Sequence, residues 1–330
     1  MDRRIFPLAA LCLLLAGCAA PARTETVRFF AMDTAMSVTA AGSAADARAA
    51  EDEIDRLDAL WSIGSADSEI ARLNAGETAS VGDETAALLA RALEISACTG
   101  GAFDCTVYPL EAAWGFYSGD YRVPSDGELA ALLPRVGYEK FSLSGGAVTF
   151  AVPGMAVDPG GIAKGAAAGK AAALLRARGV TSAVLNLGGN VRAVGSKPDG
   201  SPWRVGLADP DDPSASFAVL SVSDRAVVTS GDYQRYFEKD GVRYHHILDP
   251  ATGRPADSGL RAVTVVTDDD ALADGLSTAL FVLGREKAAA LWRASDDFEA
   301  VFFASDGTIS VTEGLKDVFS SERPWEVIAR

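Results

Sequence analysis

A carboxylate and a hydroxyl lie four positions apart in a segment that is expected to be helical. Asp274 and Thr278 fall within 268–283, whose second half is largely apolar, and residues four apart share one helix face. Carboxylate and hydroxyl oxygens suit a hard cation such as Mg²⁺, which also takes water and phosphate oxygens. Acidic residues at a helix start also complement its positive end, and we favour that interpretation for 268–270. For Asp274, the apolar surroundings favour a role as a metal ligand over a role as a charge at the helix start.

A glycine-rich stretch follows a short apolar run at 155–157, which predicts a strand. The stretch reads Asp158-Pro159-Gly160-Gly161-Ile162-Ala163-Lys164-Gly165, and an alanine-rich helix that closes at Gly179 is expected after it. Such a turn lets backbone N–H groups approach an anion at the positive end of a helix. It matches neither GxxxxGKS/T nor GxGxxG. A tight turn that needs glycine for positive φ is an equal alternative.

Both histidines of the chain are adjacent, at His245 and His246. Neighbouring residues of a strand point to opposite faces, so at most one of them reaches a common site. A single histidine near a diphosphate would act in acid–base chemistry or as a hydrogen-bond donor, and a purely structural histidine is an equal alternative. Together with the glycine turn and the Asp274–Thr278 pair, it describes a site that handles a diphosphate.

The N-terminus resembles a bacterial lipoprotein signal. Residues 1–17 hold a positive start, an apolar stretch and the small residues that precede Cys18. Cys18 would then be lipidated, residues 18–26 would form a short tether, and 27–330 would be one catalytic domain. The expected location is a membrane surface facing the periplasm. An ordinary cleaved signal is the alternative.

The composition argues against several other classes of protein. The formal charge of −15 over 330 residues argues against a nucleic-acid partner, because phosphate backbones require clustered Lys and Arg. No segment after the signal is long and apolar enough to span a bilayer. Cys98 and Cys105 remain beyond the signal and could pair in an oxidising compartment, which spacing alone does not decide. Neither a zinc site nor a disulfide-rich scaffold is indicated.

The order of predicted elements gives an α+β fold, with a mixed sheet system flanked by helices. Besides the elements above, helices are predicted at 43–61, 67–74, 83–98, 125–133 and 285–294. Strands are predicted at 27–40, 183–191, 261–267, 300–304 and 308–312, as a pair at 217–222 and 226–229, and as hairpins around 145–146 and 240–241. Segment 196–213, rich in Pro, Gly and Asp, is expected to be a surface excursion. Taken alone, Asp104 is expected to cap a turn.

From about Phe29 to the C-terminus, the chain resembles the ApbE family of flavin transferases in motifs that occur in order. The motifs are Met32-Asp33-Thr34, Asp67-Ser68-Glu69, Gly101-Ala102-Phe103-Asp104, Asp158 to Gly165, Asn186-Leu187-Gly188-Gly189-Asn190, His246-Ile247-Leu248-Asp249-Pro250 with Thr252-Gly253, and Ala273-Asp274-Gly275-Leu276-Ser277-Thr278-Ala279. The resemblance implies that FAD and Mg²⁺ are bound. It also implies that FMN is transferred to a threonine or serine of an acceptor protein, expected in a respiratory electron-transfer complex, and that AMP leaves.

The resemblance also assigns roles to residues. Gly161, through its backbone carbonyl, would hold Mg²⁺ together with Asp274 and Thr278, with Ser277 beside them. His246 would assist the attack of the hydroxyl. The FAD contacts would be Met32, Ala102, Phe103, Asp104, Asp158, Lys164 and Leu248.

This chain departs from the family pattern at two positions. Asp33 stands where the family usually has glycine, and Gly64 stands where it often has an aromatic side chain. Without that ring, stacking worth roughly 1 kcal/mol is lost, unless Trp61 replaces it. The alternatives are therefore an FAD diphosphatase that gives FMN and AMP, and a non-catalytic flavin-binding lipoprotein.

Overall fold

The computed structural model describes residues 24–330. The expected signal at 1–17, Cys18 and most of the tether lie outside the described residues. Within 24–330, no helix combines the length and the apolar character that crossing a membrane requires. Cys98 and Cys105 are both free thiols, the first exposed and the second buried.

Three helices begin directly after a serine that the sequence marks as a capping residue. Ser43, Ser68 and Ser125 each precede a helix, and the Oγ atoms of the last two accept from the N–H groups of Ala71 and Glu128. The helices are α1 Ala44–Trp61, α2 Glu69–Asn74, α3 Asp83–Cys98, α4 Tyr108–Trp114, α5 Asp126–Leu132, α6 Gly160–Ala177 and α7 Asp270–Arg293.

Helix α7 joins the two helices predicted at 268–283 and 285–294. Gly284, with φ 76° and ψ 163°, interrupts the helical backbone between its two halves. Only glycine adopts this region without strain, so the predicted division of the segment is confirmed.

The strands form one large sheet and four small ones. They are β1 Thr24–Ala31, β2 Thr34–Ala41, β3 Phe141–Ser144, β4 Ala147–Phe150, β5 Ala183–Leu187, β6 Asn190–Val194, β7 Trp203–Ala208, β8 Ser216–Val222, β9 Ala226–Gly231, β10 Tyr236–Lys239, β11 Val242–His245, β12 Leu248–Asp249, β13 Arg254–Pro255, β14 Leu260–Thr267, β15 Glu299–Ala304, β16 Ile309–Thr312, β17 Phe319–Ser320 and β18 Glu326–Ile328. The nine-stranded sheet has the order β1-β2-β5-β6-β9-β14-β15-β16-β18, and only its β16–β18 pair is parallel. The predicted α+β class with predominantly antiparallel sheets is confirmed.

The central strands of the nine-stranded sheet are covered on both faces, whereas one face of β1 is exposed, with Phe30 70% exposed. Val263 and Val265 of β14 pack in the core that includes α7, whereas Ala262 and Val266 pack against the three-stranded sheet β17-β8-β7. Helices α1 and α6 extend the first layer over β1, β2, β5 and β6. A strand buried on both faces reads as a continuous apolar run, as β14 does.

Several sequence predictions are corrected here. Segment 27–40 is two strands, because Met32 and Asp33 adopt positive φ of 46° and 58° and form a two-residue hairpin turn. No strand forms at 155–157. The expected surface excursion at 196–213 contains β7, whose buried residues Val205 and Leu207 alternate with exposed or half-buried ones.

The pairing predicted between 217–222 and 226–229 is also wrong. Strand β8 pairs with β7 and β17, whereas β9 lies in the large sheet between β6 and β14. The turn between them therefore carries the chain from one sheet to the other. Pairing partners of this kind are set by tertiary packing, which a local pattern does not contain.

Two hairpin turns meet at one end of the large sheet. Gly188 and Gly189, with φ of 64° and 99°, connect β5 to β6. A Cβ on Gly188 would lie 2.4 Å from Oγ1 of Thr34, just after the β1–β2 turn. Close approach and positive φ together require glycine there. The candidate site lies at this end of the sheet.

Candidate active site

A cavity of about 550 Å³ opens where the β1–β2 and β5–β6 turns meet the N-terminal parts of α6 and α7. This size is typical of small-molecule and cofactor sites. The residues predicted for the site that lie on its wall are Met32, Ala102, Phe103, Asp104, Asp158, Gly161, Lys164, His246, Leu248, Asp274 and Thr278. The structure therefore brings together residues that are up to 246 positions apart in the sequence, from 32 to 278.

Glycines let α6 and α7 approach closely beside this cavity. A Cβ on Gly165 would lie 2.2 Å from the backbone oxygen of Asp270 and 2.8 Å from Cβ of Asp274, and one on Gly169 would lie 3.1 Å from Oδ2 of Asp270. The N–H of Gly165, whose regular helical acceptor is the carbonyl of Gly161, donates to Oδ2 of Asp274 at 2.8 Å. The glycine-rich stretch therefore serves helix packing as well as the cavity.

The donor set predicted for a metal lies at this junction. A Cβ on Gly161 would be 3.7 Å from Oγ1 of Thr278, and Asp274, on the same wall, is 4% exposed. Among residues 24–330, no cluster of three or more His, Cys, Asp or Glu side chains could hold a metal. The available donors are one carboxylate, a hydroxyl and a backbone carbonyl. They fit Mg²⁺, which keeps water and substrate oxygens as its other ligands.

Ser277 is placed differently from its neighbours. It is fully buried, and its Oγ donates to the backbone oxygen of Asp274 at 2.8 Å and lies 2.7 Å from Oγ of Ser230. Ser230, which was not predicted, also lies 3.4 Å from Oγ1 of Thr278. Ser277 therefore supports the cavity wall from behind. Ser230 of β9 lies on the wall and adds a second hydroxyl beside that of Thr278.

The predicted glycine turn is the first turn of α6. The helix starts at Gly160, so Gly161, Lys164 and Gly165 are helical. Oδ1 of Asp158 accepts from the N–H of Gly160 at 2.6 Å. The positive end of the helix thus lies at the cavity as expected, but Asp158 already occupies one of its N–H groups.

Asp104 has the structural role that its surroundings predicted. Its carboxylate accepts from the N–H and the hydroxyl of Thr106, at 2.8 and 2.6 Å, and from the N–H of Tyr138 at 2.7 Å. Burial is the main cause of its raised pKa. The carboxylate orders the loop behind Phe103, so any contact of this residue with a ligand is additional to that role.

The two histidines lie in different surroundings, and strand β11 ends at His245, so that His246 lies just beyond it. His246 lies on the cavity wall, and its Nδ1 is 3.1 Å from the backbone oxygen of Arg235. Burial and the neighbouring Arg235 lower the pKa of His246 to about 3. The ring is therefore neutral, and because a carbonyl only accepts, Nδ1 carries the hydrogen and Nε2 the lone pair. His245 is buried against Phe281, with its Nε2 3.2 Å from the oxygen of Ala256.

A cluster of two carboxyl groups and a phenol on the wall was not predicted. The hydroxyl of Tyr117 donates to Oδ2 of Asp158 and lies 3.3 Å from Oε2 of Glu111. Burial, followed by the adjacent Asp158, raises the pKa of Glu111 well above its usual value. The carboxyl of Glu111 therefore binds its proton more tightly than an exposed glutamate does. The signal in the sequence was the lone charge of Glu111 within the apolar run 108–114.

Trp61 borders the cavity, but its low exposure leaves little of its ring available to stack on a ligand. It is 2% exposed, and its Nε1 donates to Oγ1 of Thr85 at 3.2 Å, within the core. A Cβ on Gly64 would meet only Oγ of Ser62, at 3.9 Å. This edge of the cavity is therefore open. Tyr108 and Tyr117 lie elsewhere on the wall, with ring centroids 5.5 Å apart.

Comparison with known proteins agrees with this architecture. The family model described as "ApbE family" matches residues 32–302. A protein of Vibrio cholerae named FAD:protein FMN transferase is 36% identical over 308 residues, which cover 89% of this chain and 92% of that protein. One of the same name from Treponema pallidum is 37% identical over 297 residues, covering 83% of this chain and 82% of its own length.

Solved structures show the same fold. The crystal structure of an ApbE protein from Thermotoga maritima superposes with a TM-score of 0.83 at 33% identity, covering 92% of this chain and all of the other. The flavin transferase ApbE of Vibrio cholerae gives a TM-score of 0.81 at 29% identity, covering 90% of this chain and all of the other. On its sequence and on its fold, the chain belongs to the ApbE family.

Proposed function

We propose that this chain is a transferase that moves FMN from FAD to a threonine or serine hydroxyl of an acceptor protein and releases AMP. Its relatives bear the name FAD:protein FMN transferase. The observation that carries the proposal is that one cavity wall holds both a neutral His246 and the oxygen donors Asp274 and Thr278. A group that can accept the proton of the acceptor hydroxyl thus shares a wall with the groups that can bind the diphosphate of FAD.

The reaction needs a proton acceptor beside the attacking hydroxyl. Its oxygen forms a bond to the phosphorus of the FMN half, and the bond from that phosphorus to the bridging oxygen breaks, so that AMP leaves with the bridging oxygen. The hydroxyl proton passes to Nε2 of His246. The bond from Nδ1 to the Arg235 carbonyl holds the ring in the tautomer that accepts it. A general base with a pKa near the working pH contributes about 10²–10⁴-fold to the rate, and the negative diphosphate of bound FAD would make the ring more basic than it is in the empty site.

The other wall residues bind and orient the diphosphate. Lys164, whose Nζ donates to the Gly160 oxygen at 3.1 Å, supplies positive charge beside the start of α6. Mg²⁺ held by Asp274, Thr278 and the Gly161 carbonyl would neutralise charge on the diphosphate oxygens. The apolar contacts of Met32, Phe103 and Leu248 exclude water from the ring systems of FAD.

Nucleotide chromatography tests the proposal. The purified chain is incubated with FAD and Mg²⁺, with and without a protein that carries the acceptor threonine. The transferase predicts that AMP release depends on the acceptor and on Mg²⁺. Free FMN and AMP in equal amounts without an acceptor would identify an FAD diphosphatase, which the open edge at Gly64 permits. Unchanged FAD would leave a flavin-binding protein.

We also propose that Cys18 is lipidated and holds the domain at a membrane surface facing the periplasm, where its acceptor would be a respiratory electron-transfer protein. The order of positive, apolar and small residues before Cys18 supports this. Lipidation is tested by feeding an alkyne-tagged palmitate to bacterial cells that express the chain. Label is expected on the natural chain and not on Cys18→Ala, and label on both or on neither would contradict it.

A further inference from the structure

Tyr117 presents an aromatic ring to the cavity. The residue lies on the cavity wall and is 37% exposed. The hydroxyl donates to Asp158, which is 5% exposed. One end of the side chain is therefore fixed inside the wall while the ring remains accessible.

The ring is held by more than one contact. Glu111 lies 3.3 Å from the same hydroxyl through Oε2, and Tyr108 packs beside the ring at a centroid distance of 5.5 Å and an interplanar angle of 42°. Asp158 is itself fixed, since its Oδ1 accepts from the N–H of Gly160 and its own N–H donates to the oxygen of Cys105. The orientation of Tyr117 is thus set before any ligand binds, so little conformational entropy would be lost on stacking.

We propose that Tyr117 is a specificity-determining residue that stacks on a planar ring of FAD, with Glu111 and Asp158 as the positioning residues that hold it. This inference rests on the proposed function, because it takes FAD as the ligand of the cavity. The accessible part of Tyr117 is its ring, and its polar end is already engaged, so the side chain suits a flat aromatic partner. Either the isoalloxazine or the adenine has that chemistry.

Equilibrium titration of FAD without an acceptor tests this inference apart from catalysis. Tyr117→Ala removes the ring and is expected to weaken FAD binding about 10-fold, in the range of base–aromatic stacking. Tyr117→Phe keeps the ring and loses the hydroxyl contacts, so its affinity is expected to stay within about threefold of the natural chain, by the same stacking argument. Thermal unfolding of each variant shows whether the fold is retained.

Tyr236→Ala is the matched control. Tyr236 is 39% exposed, but it lies outside the cavity wall and under the guanidinium of Arg243, at 4.1 Å. Its substitution is expected to leave FAD affinity unchanged. Parallel titrations with FMN and with AMP identify the ring, since Tyr117→Ala weakens only the nucleotide whose ring it contacts.

The outcomes separate the two proposals. Equal FAD affinity of Tyr117→Ala and the natural chain, with FAD bound by both, would overturn the stacking inference and leave the proposed function intact. Equal loss in Tyr117→Phe and Tyr117→Ala would show that the hydroxyl and not the ring matters, which also overturns it. A natural chain that binds no FAD would overturn both.

Discussion

The N–H of Gly165 donates to Oδ2 of Asp274 at 2.8 Å. This bond joins the N-terminal parts of α6 and α7, so the residue proposed to bind Mg²⁺ is also a structural link between the helices. A substitution at Asp274 therefore has two separable effects. One oxygen accepts from the backbone, and the charge of the carboxylate is available to the cavity.

Asp274→Asn separates these effects. The amide oxygen can still accept from Gly165, so the free energy of unfolding is expected to stay within about 1 kcal/mol of the natural value. The lost carboxylate charge is expected to lower AMP release by at least about 100-fold, because metal stabilisation of a phosphoryl transfer is worth several kcal/mol. Asp274→Ala should lose activity equally and also about 1–3 kcal/mol of stability. Full AMP release by Asp274→Asn would refute the metal assignment.

Gly165→Ala tests the close approach of α6 and α7. A Cβ there would lie 2.2 Å from the backbone oxygen of Asp270, so we expect a loss of about 1–3 kcal/mol in chemical denaturation together with lower activity. Gly127→Ala in α5 is the control, because its Cβ would have nothing within 4 Å, and it should be neutral or stabilising by up to about 1 kcal/mol. Equal stability of the two variants would contradict the packing described here.

His246→Ala is expected to slow FMN transfer by about 10²–10⁴-fold, the range for a general base, and to change FAD affinity little. The reason is that Nε2 acts on the acceptor hydroxyl, whereas several other wall residues contact FAD. Single-turnover transfer and equilibrium titration measure the two quantities separately. Parallel losses of transfer and affinity would instead make His246 a binding residue.

Both imidazoles are expected to remain neutral in the folded chain at pH 6. Burial lowers the pKa of His245, and burial with Arg235 lowers that of His246 to about 3, from 6.5. Between pH 6.5 and about 3, the histidines of the unfolded chain bind more protons than those of the folded chain. The free energy of unfolding therefore decreases as the pH falls below about 6.5. NMR of the two histidine ring signals, with His246→Asn for assignment, tests this. A ring that titrates near pH 6.5 would show that it is solvated.

Local signals in the sequence predicted most helices, and the resemblance to the ApbE family pointed to part of the cavity wall. Ser43, Ser68 and Ser125 cap helices through contacts within three residues, so their neighbours in sequence suffice. The hairpin turn at Met32 and Asp33 was missed because neither is glycine, although both adopt positive φ. Asp33 is one of the non-glycine residues that tolerate this conformation best.

Contacts between distant segments could not be predicted. The partner of Glu111 is Asp158, 47 positions later, and the two meet only because α4 and the start of α6 border one cavity. Likewise Ser230 reaches Ser277 and Thr278 through the packing of α7 on β9. The sequence thus predicted the carboxylate, hydroxyl and histidine that a diphosphate site needs. The side chains that hold these groups in place became visible only in the folded structure.

The most direct test of the account is the mass of an acceptor domain after incubation with the chain, FAD and Mg²⁺. The account predicts a gain of one FMN on a threonine or serine, one AMP released for each modified acceptor, and loss of both on chelation of the metal. An acceptor of unchanged mass, with FMN and AMP free in solution or with FAD intact, would contradict it.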